Sequence, residues 1–138
     1  MTPEENQELV KRFPFLLPRN GWTDEVASDY DYSYTVLDVM PEGWRKAFGM
    51  QLCQELSQAL QEAGFLEQYR ILQIKEKYGW LCWYDNGAPE AAQKVLAKYE
   101  VLSRQTCIKC GRPATKHTTG WIAPYCENCF PQRENQKH

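Results

Sequence analysis

Tyr69-Arg70-Ile71-Leu72-Gln73-Ile74-Lys75-Glu76-Lys77-Tyr78-Gly79-Trp80-Leu81-Cys82-Trp83-Tyr84 is the stretch that decides the fold. Its first half alternates with the two-residue period of a strand. Leu72, Ile74, Glu76 and Tyr78 share one face, and Ile71, Gln73, Lys75 and Lys77 share the other. Gly79 supplies a tight turn, and Trp80–Tyr84 is dense in aromatic strand formers. Residues 69–84 therefore read as a β-hairpin, and Asp85-Asn86-Gly87 marks a second turn after it.

On both sides the hydrophobic period changes from two to three or four. Upstream, Trp44, Phe48, Leu52, Leu56, Leu60 and Ala63 form one apolar stripe, with Cys53 beside it, so residues 41–63 predict a helix that Gly64 ends. Downstream, Ala92, Val95, Leu96, Tyr99 and Leu102 give a helix over 89–104 its buried face. A third helix is expected over 3–13. Thr2 caps it, Pro3 suits its first position, Glu5 completes a capping box and Pro14 stops it. Amphipathic helices packed on one face of a hairpin give an α+β fold, here a domain of residues 1–104.

Residues 14–40 show no period. Pro14, Pro18, Asn20-Gly21 and the run from Ser28 to Tyr34 read as a long, aromatic-anchored loop with a short strand at Tyr32–Val36. The loop is acidic, and Asp24, Glu25, Asp29, Asp31 and Asp38 interleave with Tyr30, Tyr32 and Tyr34. Tyrosines supply contact area and carboxylates steer association, so these eight residues are the candidate docking surface for a basic partner. The plainer reading is a solvated loop whose tyrosines cover the core.

Near the C-terminus, Cys107-Ile108-Lys109-Cys110-Gly111 is followed by Cys126-Glu127-Asn128-Cys129, with fifteen residues between the two pairs. This spacing reads as a zinc site, although tetrahedral sulfur also suits iron. Two tight turns each present two thiolates to one ion, and Gly111 lets the backbone bend beneath it. Strands at Pro113–His117 and Trp121–Ala123, turning at Thr119-Gly120, would make residues 105–130 a zinc-ribbon-like unit with a disordered polar tail at 131–138. Cys107, Cys110, Cys126 and Cys129 leave no open coordination position, so the metal is expected to be structural. His117 reads as a surface residue, and Cys53 and Cys82 as packing residues.

The chain's 138 residues carry a net charge of −2, spread as −6 over residues 1–42, zero over 43–100 and +4 over 101–138. The total argues against a dedicated nucleic-acid binder. Even so, Arg104, Lys109, Arg112 and Lys116 near Trp121 and Tyr125 could contact phosphates and bases, or be a plain solvated surface. No run approaches the ~20 apolar residues of a membrane helix, and the acidic N-terminus does not resemble a signal peptide. A cytoplasmic protein is expected. There is no Gly-rich phosphate loop, nucleophile elbow or His-rich centre, so the expectation is a non-enzyme with no small-molecule substrate.

Several runs taken together resemble small phage and prophage proteins of Gram-positive bacteria. These are Met40-Pro41-Glu42-Gly43-Trp44-Arg45-Lys46-Ala47-Phe48-Gly49, Ile71 to Gly79, Gly87-Ala88-Pro89-Glu90, and the two cysteine pairs around Gly120-Trp121-Ile122. The resemblance covers most of residues 20–129 and extends to a zinc-containing anti-CRISPR inhibitor of the type II-A effector Cas9. It implies a protein that binds Cas9 and blocks loading of target DNA. Cas9 holds nucleic acid in positively charged channels, which an acidic patch could contest.

Overall fold

The computed structural model describes residues 1–118 and 123–130. Helix α1 spans Pro3–Arg12, and its capping box forms as expected: Thr2 Oγ1 accepts from the Glu5 N–H at 3.1 Å, and Glu5 reaches back to the Thr2 N–H. Helix α2 is one continuous rod made of Glu42–Trp44, a π-helical segment Arg45–Gly49, and Met50–Glu62. Its stripe of Trp44, Phe48, Leu52, Leu56 and Leu60 advances by four residues at every step. In a regular α-helix such a stripe drifts by ~40° per step, and the wider π turn rotates it back toward the core. The stripe ends at Leu60; Ala63, expected to extend it, is exposed because the helix has reached its cap. Gly64 sits at φ +70°, its N–H bonds Gln61, and Phe65 bonds back to Leu60, which is a Schellman closure.

The hairpin pairs β1 (Ile71–Lys77) with β2 (Trp80–Asp85) in antiparallel register, Ile74 facing Trp83 and Lys77 facing Trp80. Tyr78 and Gly79 both take positive φ, as a two-residue turn that follows the strands' twist demands. The expected alternation breaks at one place. A bulge between Ile71 and Gln73 adds a residue to β1. It moves Ile71 toward the core and leaves Leu72 59% exposed, so Leu72 does not share the buried face of Ile74. Tyr78 likewise leaves that face, because it belongs to the turn.

Helix α3 (Glu90–Arg104) lies against α2 and β2, burying Ala92, Leu96, Tyr99 and Ser103. Leu102, expected inside, is partly exposed, and Ser103 takes the buried position one residue on. Its hydroxyl accepts from the Leu81 N–H at 2.9 Å, tying helix to hairpin. Tyr69 is fully buried where β1 begins; its hydroxyl donates to Asp85 at 2.7 Å and accepts from the Trp83 indole at 2.9 Å. The architecture is α+β with a C-terminal cluster of four cysteines.

Residues 14–40 contain no strand. Two 3-10 turns, Pro14–Leu16 and Val36–Val39, punctuate the segment, and the strand expected at Tyr32–Val36 gives way to a capped turn that Thr35 opens. Tyr32 at φ +62° breaks any extended run there. The first turn buries Phe15 and Leu16, and the second buries Leu37.

Candidate metal centre and acidic surface

Each cysteine pair sits on a turn: Cys107–Gly111 closes through the Gly111 N–H to the Cys107 carbonyl at 3.0 Å, and Cys126–Phe130 through the Cys129 and Phe130 N–H groups to the Cys126 carbonyl. Between them, β3 (Lys116–His117) pairs with β4 (Pro124–Tyr125), and an isolated bridge joins Thr106 to Pro113. Of the second ribbon strand expected at Trp121–Ala123, Ala123 alone is described, and it lies just outside the ladder. The ladder joins Lys116 to Tyr125, and Ala123 instead bonds Thr118 through backbone and hydroxyl. The expected turn at Thr119-Gly120, together with Trp121 and the tail 131–138, lies outside the described residues.

The ribbon brings the four thiols together. All four sulfur atoms lie within 4.8 Å of one another, with Cys110 and Cys126 at 3.5 Å, and no disulfide joins any of them. Sulfurs set tetrahedrally around one ion at ~2.3 Å stand ~3.8 Å apart, close to the Cys110–Cys126 separation and inside the 4.8 Å bound. Burial pushes the Cys107 thiol up, but the backbone N–H groups of Cys126, Cys110 and Lys109 aimed at it bring it down to about 6. Cys129 moves the other way, up to about 12, because it holds its proton against the Cys126 sulfur and is then further raised by burial. Four thiolates this close repel one another, and a bound cation removes that conflict. The site could thus hold one metal ion.

The centre is not a free appendage. The Gly43 N–H donates to the Ile108 carbonyl at 2.9 Å, and the Trp44 indole donates to the Thr106 carbonyl at 3.0 Å. A Cβ on Gly43 would lie 2.2 Å from the Cys107 carbonyl oxygen. A Cβ on Gly111, at φ +89°, would lie 2.7 Å from the Gly43 carbonyl oxygen. Two glycines therefore let the first cysteine turn rest directly on the start of α2. His117 is exposed, bonds the Arg104 carbonyl and stands apart from the thiol cluster. Cys53 is fully buried, its thiol pushed up to about 12 by burial; Cys82 lies half-exposed on β2.

The eight candidate docking residues divide. Asp24 is tied by Arg70 at 2.8 Å, and its carboxyl lies below the ordinary range, chiefly through that bond. Asp38 is tied by Arg45 at 2.9 Å and by the Thr35 N–H. Asp31 accepts from Ser33, which holds its carboxyl low. Tyr30 packs against Tyr32 and Tyr34, with ring centroids 4.9 and 5.4 Å away, and donates its hydroxyl to the Tyr34 carbonyl. The loop is pinned from below by buried Asn6, whose amide donates to the Tyr32 carbonyl at 2.8 Å. None of the ion pairs among the described residues involves Glu25, Asp29 or Asp31.

One residue of this surface was missed in the sequence. Trp22 is 97% exposed on a turn that Asn20 fixes by accepting from the Trp22 and Thr23 N–H groups at 2.8 and 3.1 Å. Its signal was a tryptophan directly after Asn20-Gly21, a place where large apolar residues have no core to reach. Among the described residues no helix is long and apolar enough to cross a membrane. No protein-family model, curated protein or solved structure matches this chain.

Proposed function

We propose that this protein is a binding inhibitor and not an enzyme: an anti-CRISPR protein that docks on Cas9 in the bacterial host cytoplasm and blocks target DNA loading. The observation that carries this reading is the surface around Trp22. There a fully exposed indole sits on a fixed turn of the same loop that carries Glu25, Asp29 and Asp31, none of them paired with a cation among the described residues. A tryptophan anchor and unpaired carboxylates on one loop suit a basic, nucleic-acid-binding surface on a partner protein. The four cysteines hold zinc, which stabilises the C-terminal unit and takes no part in chemistry, since four thiolates leave no position for water.

The test is a Cas9 pull-down with a DNA cleavage assay. Wild-type protein should bind and reduce cleavage, whereas Trp22→Ala with Asp29→Lys and Asp31→Lys should do neither while keeping its melting temperature. Saturating wild-type protein that leaves cleavage untouched sinks the reading. Metal analysis of freshly purified protein should return one zinc per chain; an iron stoichiometry or no metal would refute that part.

A second reading is a zinc-ribbon protein that contacts nucleic acid through the ribbon. It is favoured by exposed Lys109, Arg112 and Lys116, none in an ion pair among the described residues. Lys109→Glu with Arg112→Glu should then abolish a low-salt mobility shift.

A further inference from the structure

The hairpin carries a second surface that neither reading uses. In the observed register Gln73 faces Tyr84, Lys75 faces Cys82 and Lys77 faces Trp80. Directly opposed residues point to the same side of a sheet, so these six form one face. The opposite face, with Ile74, Leu81 and Trp83, is buried in the core. The outer face thus has two rows: lysines and a glutamine along β1, and two aromatic rings separated by a small cysteine along β2.

Trp80 and Tyr84 are 37% and 43% exposed, and a strand sets them ~13 Å apart. Cations stand at both rings: Lys75 lies 5.5 Å from the Tyr84 centroid, and the Arg104 guanidinium 4.7 Å from the Trp80 centroid. Lys77 sits beside the turn residue Tyr78. Among the described residues none of these three cations is in an ion pair. The shallow groove along β2 has one acid at its rim, Glu100, which is half-buried. In a chain of net charge −2, a face with no carboxylate of its own and a ring beside each cation is locally selective for an anion that also has a flat apolar surface.

We infer that the outer face of the β1–β2 hairpin binds single-stranded nucleic acid, with bases stacking on Trp80 and Tyr84 and phosphates lying along Lys75, Lys77 and Arg104. Unpaired bases offer the ring faces that a duplex keeps inside its stack, and phosphates complement the lysine row. Cys82 leaves space between the rings that a larger side chain would fill. The inference requires neither Cas9 nor the ribbon, because the face binds in the protein alone.

The test uses the full-length protein with a labelled twelve-nucleotide oligo(dT), its oligo(rU) equivalent and a twelve-base-pair duplex. Either single strand, or both, should bind and quench tryptophan fluorescence. Raising salt from 50 to 200 mM should weaken binding about 20-fold, as three phosphate contacts predict. Lys75→Glu with Lys77→Glu should weaken it at least tenfold, and Trp80→Ala at least fivefold. Both lysines are exposed, so the charge-reversed variant keeps the core and remains a valid test if Trp80→Ala fails to fold. Lys109→Glu with Arg112→Glu should change nothing. The inference is overturned if no single strand binds at 50 mM salt, if the duplex binds as tightly, or if the ribbon variant loses binding while the hairpin variant keeps it.

Discussion

Residues 42–104 and residues 105–130 are neighbours built on different physics. The first region buries Trp44, Phe48, Leu52, Leu56, Leu60, Leu81 and Leu96 against one another, each fully buried aliphatic side chain contributing roughly 1.5–3 kcal/mol. The second, among its described residues, buries few large apolar side chains and closes on Cys107, Cys126 and their two partners. If the four cysteines hold a metal, a unit this poor in core would depend on it. Yet the two regions share a seam. Gly43 and Gly111 bring backbone against backbone, and Trp44, itself a core residue, donates to the Thr106 carbonyl just before the first cysteine. The cysteine unit is thereby coupled to the helix that carries the core, so loss of its fold should be felt there without dissolving the core.

The largest effect should come from removing the metal. Chelation, or Cys107→Ser, should release the ion and strip hydrogen-exchange protection from residues 105–130, while α3 and Met50–Glu62 keep theirs. The Trp44 indole resonance should shift as its acceptor is lost. An unchanged Trp44 signal would show the two regions to be independent after all.

Next in size is the seam itself. Gly43→Ala should cost more than about 3 kcal/mol by chemical denaturation, since the added carbon meets rigid backbone at 2.2 Å. Gly21→Ala, with nothing within 4 Å, should stay within about 0.5 kcal/mol and serves as the matched control.

Trp44→Phe keeps most of the ring and deletes the bond to Thr106, for an expected loss of about 1–2 kcal/mol. The hydrogen-bond part of that loss should vanish in the metal-free protein if the bond exists only when the cysteine turn is formed, while the packing cost remains because Trp44 stays in the core.

The smallest effect separates the core region from the metal by pH. Glu55 accepts from Lys98 and Tyr99, and these bonds hold its carboxyl below the ordinary 4.5. A lowered folded value means the contribution is complete above 4.5 and is lost as pH falls through the folded value. The group is partly exposed, so screening keeps the effect under about 1 kcal/mol. Glu55→Gln should flatten that part of the acid limb without altering metal content. Identical acid limbs would place the interaction at zero.

The elements were legible because each rests on a local rule: the capping box at Thr2, the four-residue stripe from Trp44 to Leu60, Gly64 as a stop, and paired cysteines at ribbon spacing. The misreadings lie where a longer-range arrangement prevailed. Leu72 points outward because a bulge adds one residue, which strict alternation does not foresee. Leu102 yields its inward place to Ser103, whose hydroxyl Leu81 needs. In the acidic loop the sequence marked a charged aromatic segment, but sequence does not show that Arg70 and Arg45 lie within reach of Asp24 and Asp38.

What the sequence alone determined is the set of four cysteines that could hold a metal and the helix–hairpin order, because cysteine spacing and hydrophobic period are properties of neighbouring residues. Only the tertiary structure decided that Gly43 and Gly111 meet, that Trp22 stands free while the tyrosines pack on one another, and that one hairpin face collects lysines beside aromatic rings. Those facts depend on which backbone comes within a few ångströms of which, and no local pattern encodes that distance.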